Sequence, residues 1–269
     1  MPTVLDARAL TLRTVTATRY VTPLREGGSL PGLLEASDDG LYVVKFHAAG
    51  QGPKALVAEL LAGELGRALG LAVPEIVLVE LDATLGKAEP DPEIQDLLVR
   101  SAGLDIGIDF LPGALPFDPA AGDRPGAEAP EASLAADIVW FDSLITNVDR
   151  TARNVNLLVW HRRLWLIDHG AALYIHHTWR DPAAHARRPF ERIADHVLLP
   201  YAGSIVDADE RLAARVTADL LEPIVGAIPE VWLGVGGDDQ RRAYVDYLLR
   251  RVEAPRAFVE EAERARVAA

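Results

Sequence analysis

Asn147-Val-Asp149-Arg150-Thr-Ala-Arg153-Asn154, then a hairpin-like run over Val155–Ile167, then Asp168-His169-Gly170, limits this chain more than any other stretch. It sets an Asp, an Asn five residues later, and a second Asp just past a predicted strand pair. Phosphoryl transfer needs that set: one carboxylate beside the attacking hydroxyl, and an amide oxygen plus a second carboxylate to hold Mg²⁺ against the phosphates. Asp149 lies in a polar loop directly after an apolar stretch, where a scaffold presents side chains to a cleft. As a base it would orient and accept the proton of a hydroxyl. The plain alternative is an Asp that caps a helix or pairs with Arg150 or Arg153.

Asn154 carries an amide oxygen that can ligate Mg²⁺ without adding a full charge, and Asn156 is a nearby competitor for that role. Asp168 ends a predicted strand, and Gly170 lets the chain turn away. A hard cation of this kind takes one or two carboxylates together with phosphate oxygens. The seven histidines show no H-E-x-x-H or similar spacing, and neither G-x-S-x-G nor a Walker-type G-x-x-x-x-G-K-[ST] occurs.

Composition narrows the field. A chain of 269 residues, 49% apolar and 25% charged, suits a globular enzyme. No run approaches the roughly 20 apolar residues of a membrane span, and the N-terminus has no basic-then-apolar export signal. With no Cys there is no disulfide or thiolate site, which fits a cytoplasmic protein. A net charge of −13 argues against binding nucleic acid. Basic residues are nearly all Arg, the only lysines being Lys45, Lys54 and Lys87. Lys45 stands inside an apolar strand, which suits a compact point charge rather than a planar fork.

Residues 14–46 read as β-structure, with strands over Thr14–Val21 and Leu41–Phe46 and a turn at Asp38-Asp39-Gly40. Alternation puts Lys45 on the face of Val43, opposite Val44 and Phe46. A long helix follows from Pro53 to Leu69, stopped by Gly70. Glu59 on that helix is the expected partner of Lys45, with Glu64 the alternative. Gly27-Gly28-Ser29, between the first two strands, offers backbone N–H groups to a phosphate. A strand over Glu75–Leu81, a helix over Asp91–Ala102 and a strand over Leu104–Phe110 complete this half. Residues 112–130 read as a loop. A helix over Glu131–Thr146 leads into the Asn147 loop. A hairpin around His161-Arg162-Arg163 carries Asp168, and helices fill 190–226 and 238–266.

An Asp–x₄–Asn pair followed by Asp-x-Gly is the catalytic half of the kinase signature set. Together with Tyr-Val-Val-Lys45-Phe and with Glu59 on a helix that ends Ala-Leu-Gly-Leu-Ala-Val-Pro74-Glu, it resembles the HipA-like kinases, and more distantly the phosphoinositide 3/4-kinases. The resemblance runs from about Tyr20 to Tyr174 and implies an α+β, two-lobed protein-kinase-like fold. Residues 1–111 would form a β-rich N-lobe with one long helix, and residues 112–269 a helical C-lobe. It implies Lys45 at the ATP phosphates with Glu59 anchoring it, Asp149 as catalytic base, and Asn154 and Asp168 as Mg²⁺ ligands. Backbone at Asp109, Phe110 and Leu111 would lie at the adenine. Thr151 departs from the His such loops often carry. The function so implied is ATP- and Mg²⁺-dependent transfer of the γ-phosphoryl group to a hydroxyl acceptor such as protein Ser/Thr. The alternatives are a small-molecule or lipid-headgroup kinase, or a nucleotide-binding pseudokinase.

Overall fold

The computed structural model describes residues 10–24, 30–120 and 129–269. The expected phosphate loop at Gly27, Gly28 and Ser29 lies outside them. Five strands close into a barrel in the order β1-β2-β3-β5-β4: β1 (Thr14–Pro23), β2 (Gly32–Ala36), β3 (Leu41–Lys45), β4 (Ile76–Leu81) and β5 (Gly103–Asp109). Closure pairs β1 with β4 in parallel and every other neighbour antiparallel. Closing the sheet also removes its exposed edges.

Alternation decides which residues fill it. Tyr42, Val44 and Phe46 point into the barrel with Val15, Leu34, Val77 and Val79. Lys45 therefore points the other way. The sequence reading of 14–46 as β-structure does not separate β2, a strand of only five residues. The β2–β3 turn is closed by Asp38, whose Oδ1 accepts from the Gly40 N–H at 3.1 Å while Asp39 takes φ 61°.

Helix α1 (Pro53–Ala68) starts with Pro at its first turn and ends where Gly70 adopts φ 94°. Its residues from Leu56 to Gly66 are all buried. It is therefore a wedge buried on every face, not an amphipathic surface helix. Gly63 permits the fit: a Cβ there would stand 2.4 Å from Ile76 Cδ1. Helix α2 (Pro92–Arg100) inserts Ile94, Leu97 and Leu98 into the barrel's own core.

Helix α3 (Ala132–Leu144) is equally buried and anchors the C-terminal half, its Trp140 donating Nε1–H to Asp209 at 2.8 Å. It leads into the loop of Asn147. Strand β6 (Leu115–Pro116) joins the hairpin of β7 (Leu157–Trp160) and β8 (Arg163–Leu166). The expected three-residue tip is a two-residue turn, with His161 and Arg162 both at positive φ. Nor does Asp168 end a strand, since β8 stops at Leu166.

Two short helices, α4 (Pro182–Ala186) and α5 (Ile205–Leu212), precede α6 (Ala218–Gly226) and α7 (Glu230–Leu233). Helices α8 (Gly237–Val252) and α9 (Ala257–Ala268) close the chain. The helices expected over 190–226 are present as short separate pieces. Ser204 and Thr217 each cap a fresh helix by accepting from a backbone N–H three residues on.

The β-rich half and the helical half share one core, because α1 contributes Leu56, Leu60, Leu61 and Leu65 to the cluster that contains Trp140 and Phe141. Burying a Leu is worth about 1.5–3 kcal/mol, so these four hold the halves together. Trp232 on α7 adds a polar tie, donating Nε1–H to the Leu104 carbonyl of β5 at 2.9 Å.

Candidate active site

Lys45 leaves the end of β3 on the face away from the barrel core and is only 7% exposed. Its Nζ donates to Glu59 Oε2 on α1 at 2.5 Å and to Asp168 Oδ1 at 2.5 Å. Glu64, the alternative partner, sits instead 3.5 Å from Arg67. Burial alone would lower the ammonium's pKa, but the charges of Glu59 and then Asp168 outweigh it and raise it above the usual lysine range. Glu59 is 1% exposed. Burial would raise its pKa too, but the Lys45 charge and the His169 contact hold it well below the carboxylate range. Both groups thus stay charged inside the protein. An ammonium has three donors, so Lys45 keeps one beyond its two carboxylates.

His169 completes the floor. Its backbone N–H donates to Glu59 Oε2 at 2.8 Å, and its ring turns inward, edge-on to Phe141. Asp168 itself takes φ 56°, a left-handed conformation that L-residues adopt at a cost of about 1–2 kcal/mol. Strain of this kind is held in place by surrounding contacts, here the Lys45 ion pair and the His169 anchor.

On the open side stand Asp149, half-buried, and Asn154, exposed. The five-residue spacing becomes a contact: Asn154 Nδ2 donates to Asp149 Oδ2 at 2.7 Å. That bond occupies the amide nitrogen and leaves the amide oxygen available to a cation. The loop is tied to itself, with Thr151 N–H donating to the Asp149 and Asn154 carbonyls, both at 3.0 Å. Asn156 does not approach Asp149 in this way. It has φ 49°, its Nδ2 is buried without a partner, and its carbonyl accepts from the Ile167 N–H at 3.1 Å.

Neither Arg150 nor Arg153 pairs with Asp149. Arg150 turns inward, 1% exposed, and donates Nε–H to Asp142 Oδ2 at 2.6 Å. Its Nη1 donates to the Asn156 carbonyl, and also to the Ile167 carbonyl at 3.3 Å. The residue after Asp149 thereby touches the residue before Asp168, which fixes the two carboxylate loops to one another.

Asp142, on the last turn of α3, is fully buried and also accepts from Asn147 Nδ2 at 3.0 Å. His196 Nε2 lies 2.8 Å from its Oδ2. Burial would push the Asp142 carboxyl up, but the Arg150 charge and then the His196 bond hold it well below the usual range. Sequence pattern singles out neither Asp142 nor the inward role of Arg150, and gives His196 no spacing that marks it. The signal available for Asp142 was the one used for Lys45, a charge inside an apolar element.

The residues expected at the adenine, Asp109 to Leu111, lie at the end of β5. The Asp109 N–H donates to the Glu75 carbonyl at 2.8 Å and the Phe110 N–H to the Leu41 carbonyl at 3.0 Å. Leu111 is the one of the three whose N–H has no partner among the described residues.

Asp105, on the same strand, is fully buried under His47, whose backbone N–H donates to its Oδ1 at 2.7 Å while Oδ2 has no partner. Burial pushes this carboxyl up to about 6. A carboxyl raised in the folded state contributes its stability below the unfolded value, roughly 3.9, and loses it as pH climbs through about 6. Urea melts of wild type and Asp105→Asn at about pH 4 and about pH 7 test this. The wild type is expected to lose stability relative to the variant as pH rises; a pH-independent difference would contradict it.

No group of three or more His, Asp or Glu side chains forms a metal cage among the described residues. The oxygen donors present, the Asp168 carboxylate and the Asn154 amide, instead suit a hard divalent cation completed by phosphate oxygens.

A lysine held by a helix glutamate beneath a strand barrel, and bonded to the Asp168 carboxylate of a loop, is the arrangement of a protein-kinase-like fold. The chain belongs to the HipA-like kinase family, whose model matches residues 18–258. It resembles the proinflammatory kinase CtkA of Helicobacter pylori, with a TM-score of 0.54 at 13% identity, over 95% of this chain and 99% of that one. It also resembles the Golgi casein kinase solved with Mn and ADP, with a TM-score of 0.46 at 14% identity, over 95% of this chain and 76% of that one. No curated protein matches it by sequence.

Proposed function

We propose that this protein transfers the γ-phosphoryl group of ATP, with Mg²⁺, to the hydroxyl of a protein Ser or Thr. The observation that carries the proposal is the buried Lys45, bonded at 2.5 Å to both Glu59 and Asp168. A lone structural ion pair needs one carboxylate; two around one ammonium, with the Asp168 side chain 39% exposed, suit a site that must also receive phosphate.

Each residue then has a task. Lys45 uses its remaining donor on a nucleotide phosphate oxygen, while Glu59 fixes the ammonium's position. Asp168 and Asn154 would hold Mg²⁺, which neutralises charge on the phosphates when bound. Asp149 takes the acceptor's proton as its oxygen bonds to the γ-phosphorus and the bond to the β–γ bridging oxygen breaks, releasing ADP. Residues 1–111 would serve the nucleotide's phosphates and adenine, with Gly27, Gly28 and Ser29 at the phosphates and Asp109 to Leu111 at the base. Residues 112–269 would supply the catalytic and metal loops.

Calorimetric titration with a non-hydrolysable ATP analogue, with and without Mg²⁺, tests the binding half. Wild type is expected to bind at least roughly ten-fold more tightly with the metal, about 1.4 kcal/mol, and Asp168→Ala to lose that gain. Binding indifferent to Mg²⁺ in wild type would overturn the assignment.

A further inference from the structure

The charge of this chain is distributed very unevenly. Between residues 150 and 192 stand eight arginines against three acidic residues, whereas outside that stretch nineteen basic residues face thirty-seven acidic ones. Arg150 is spent on Asp142, Arg163 lies over the Trp165 ring on the hairpin, and Arg162 forms the hairpin turn at φ 60°. Arg153, Arg180, Arg187, Arg188 and Arg192 remain, all exposed. Arg187 and Arg192 make only surface pairs, with Glu253 at 3.3 Å and Asp195 at 3.4 Å. Such pairs are worth about 0–1 kcal/mol and yield readily to a competing carboxylate. Arg153, Arg180 and Arg188 have no carboxylate partner among the described residues. Residues 171–195 hold three acids against four arginines: Asp181 is occupied as a cap, accepting from the Ala184 N–H at 3.2 Å, Asp195 pairs with Arg192, and Glu191 lies near Arg264.

Four of these arginines ride on the segment from 171 to 195, which is fixed against the candidate site at three places. Lys54, on the helix that bears Glu59, donates to the His176 carbonyl at 2.6 Å. The buried Arg251 guanidinium donates to the Ser143 carbonyl of α3 at 2.6 Å and to the Ala186 carbonyl at 3.2 Å. The segment therefore passes within one guanidinium of the helix that leads into the Asp149 loop. At its far end His196 bridges Thr151, and the Val197 N–H donates to the Arg150 carbonyl at 3.1 Å. It starts at the Asp168 loop and finishes beside the Asp149 loop, where an acceptor hydroxyl must arrive.

We propose that residues 171–195, with Arg153, form the acceptor platform, and that it takes a protein segment whose Ser or Thr is flanked by Asp and Glu. Arginine forks bind carboxylates two bonds at a time, and a basic strip on an acidic molecule steers an acidic peptide to that strip alone. A flat anionic membrane is the poorer fit, because the acidic surface around the strip would be repelled along with it.

The inference rests on the phosphotransferase reading for the word acceptor, but its test needs no turnover. Two fluorescent peptides, identical except that Glu and Asp flank the central Ser in one and Gln and Asn in the other, are titrated with the full chain by anisotropy. The acidic peptide is expected to bind roughly ten-fold tighter, and to weaken as salt rises from about 50 to about 300 mM. Arg180→Glu with Arg188→Glu is expected to abolish the preference in a protein whose thermal melt is unchanged. Equal binding of the two peptides, a preference surviving the double variant, or retention on phosphatidylserine vesicles in place of the peptide would overturn it. A failed nucleotide titration with intact peptide preference would sink the kinase reading and leave the acidic docking strip standing.

Discussion

Replacing Asp149 with Ala is expected to lower kcat for phosphoryl transfer by roughly 10²–10⁴-fold, the range that a positioned general base contributes. The acceptor hydroxyl loses the group that takes its proton, and Asn154 Nδ2 loses the carboxylate that orients it at 2.7 Å. Stability should change little, because Asp149 is half-buried and makes no pair with Arg150 or Arg153. Single-turnover rates alongside thermal melts separate the two effects. A kcat within threefold of wild type would remove Asp149 from the chemistry.

The second large effect is thermodynamic. Asp142→Ala would strand Arg150, itself 1% exposed, with no counter-charge, and would leave Asn147 and His196 without the carboxylate they share. Breaking a buried pair by removing one partner costs about 3–5 kcal/mol. For a chain of this size each kcal/mol moves Tm by about 2–4 °C, so the melt should fall by roughly 6–20 °C. Asp142→Asn keeps the shape and two acceptor contacts and should fall less. A melt of Asp142→Ala within about 2 °C of wild type would show that the cluster does not hold the loop.

The local parts of this site were legible in the sequence. A lysine inside an apolar strand, the alternation that turns it away from Val44 and Phe46, and the Asp149–Asn154 spacing each depend on residues near one another in the chain. Glu59 was legible one step further off, as a charge on the next helix. What escaped depends on tertiary return. His196 reaches Asp142 across 54 residues, and Trp232 reaches the Leu104 carbonyl across 128. No periodicity encodes either contact. Strand β2 escaped for a different reason: its five residues, Gly32–Ala36, are short and hold one strongly polar side chain, so alternation had little length on which to register. The helices expected over 190–226 form as short separate pieces, because Ser204 and Thr217 each start a new one with its own cap.

The most direct measurement is transfer of label from ATP radioactive at the γ-phosphorus, compared with ATP radioactive at the α-phosphorus, using wild type and Asp168→Ala with Mg²⁺. The proposed function requires γ-label, and not α-label, to pass to a protein acceptor or to the enzyme itself, in wild type only. Transfer of the α-label, or γ-transfer that persists in Asp168→Ala, would contradict it.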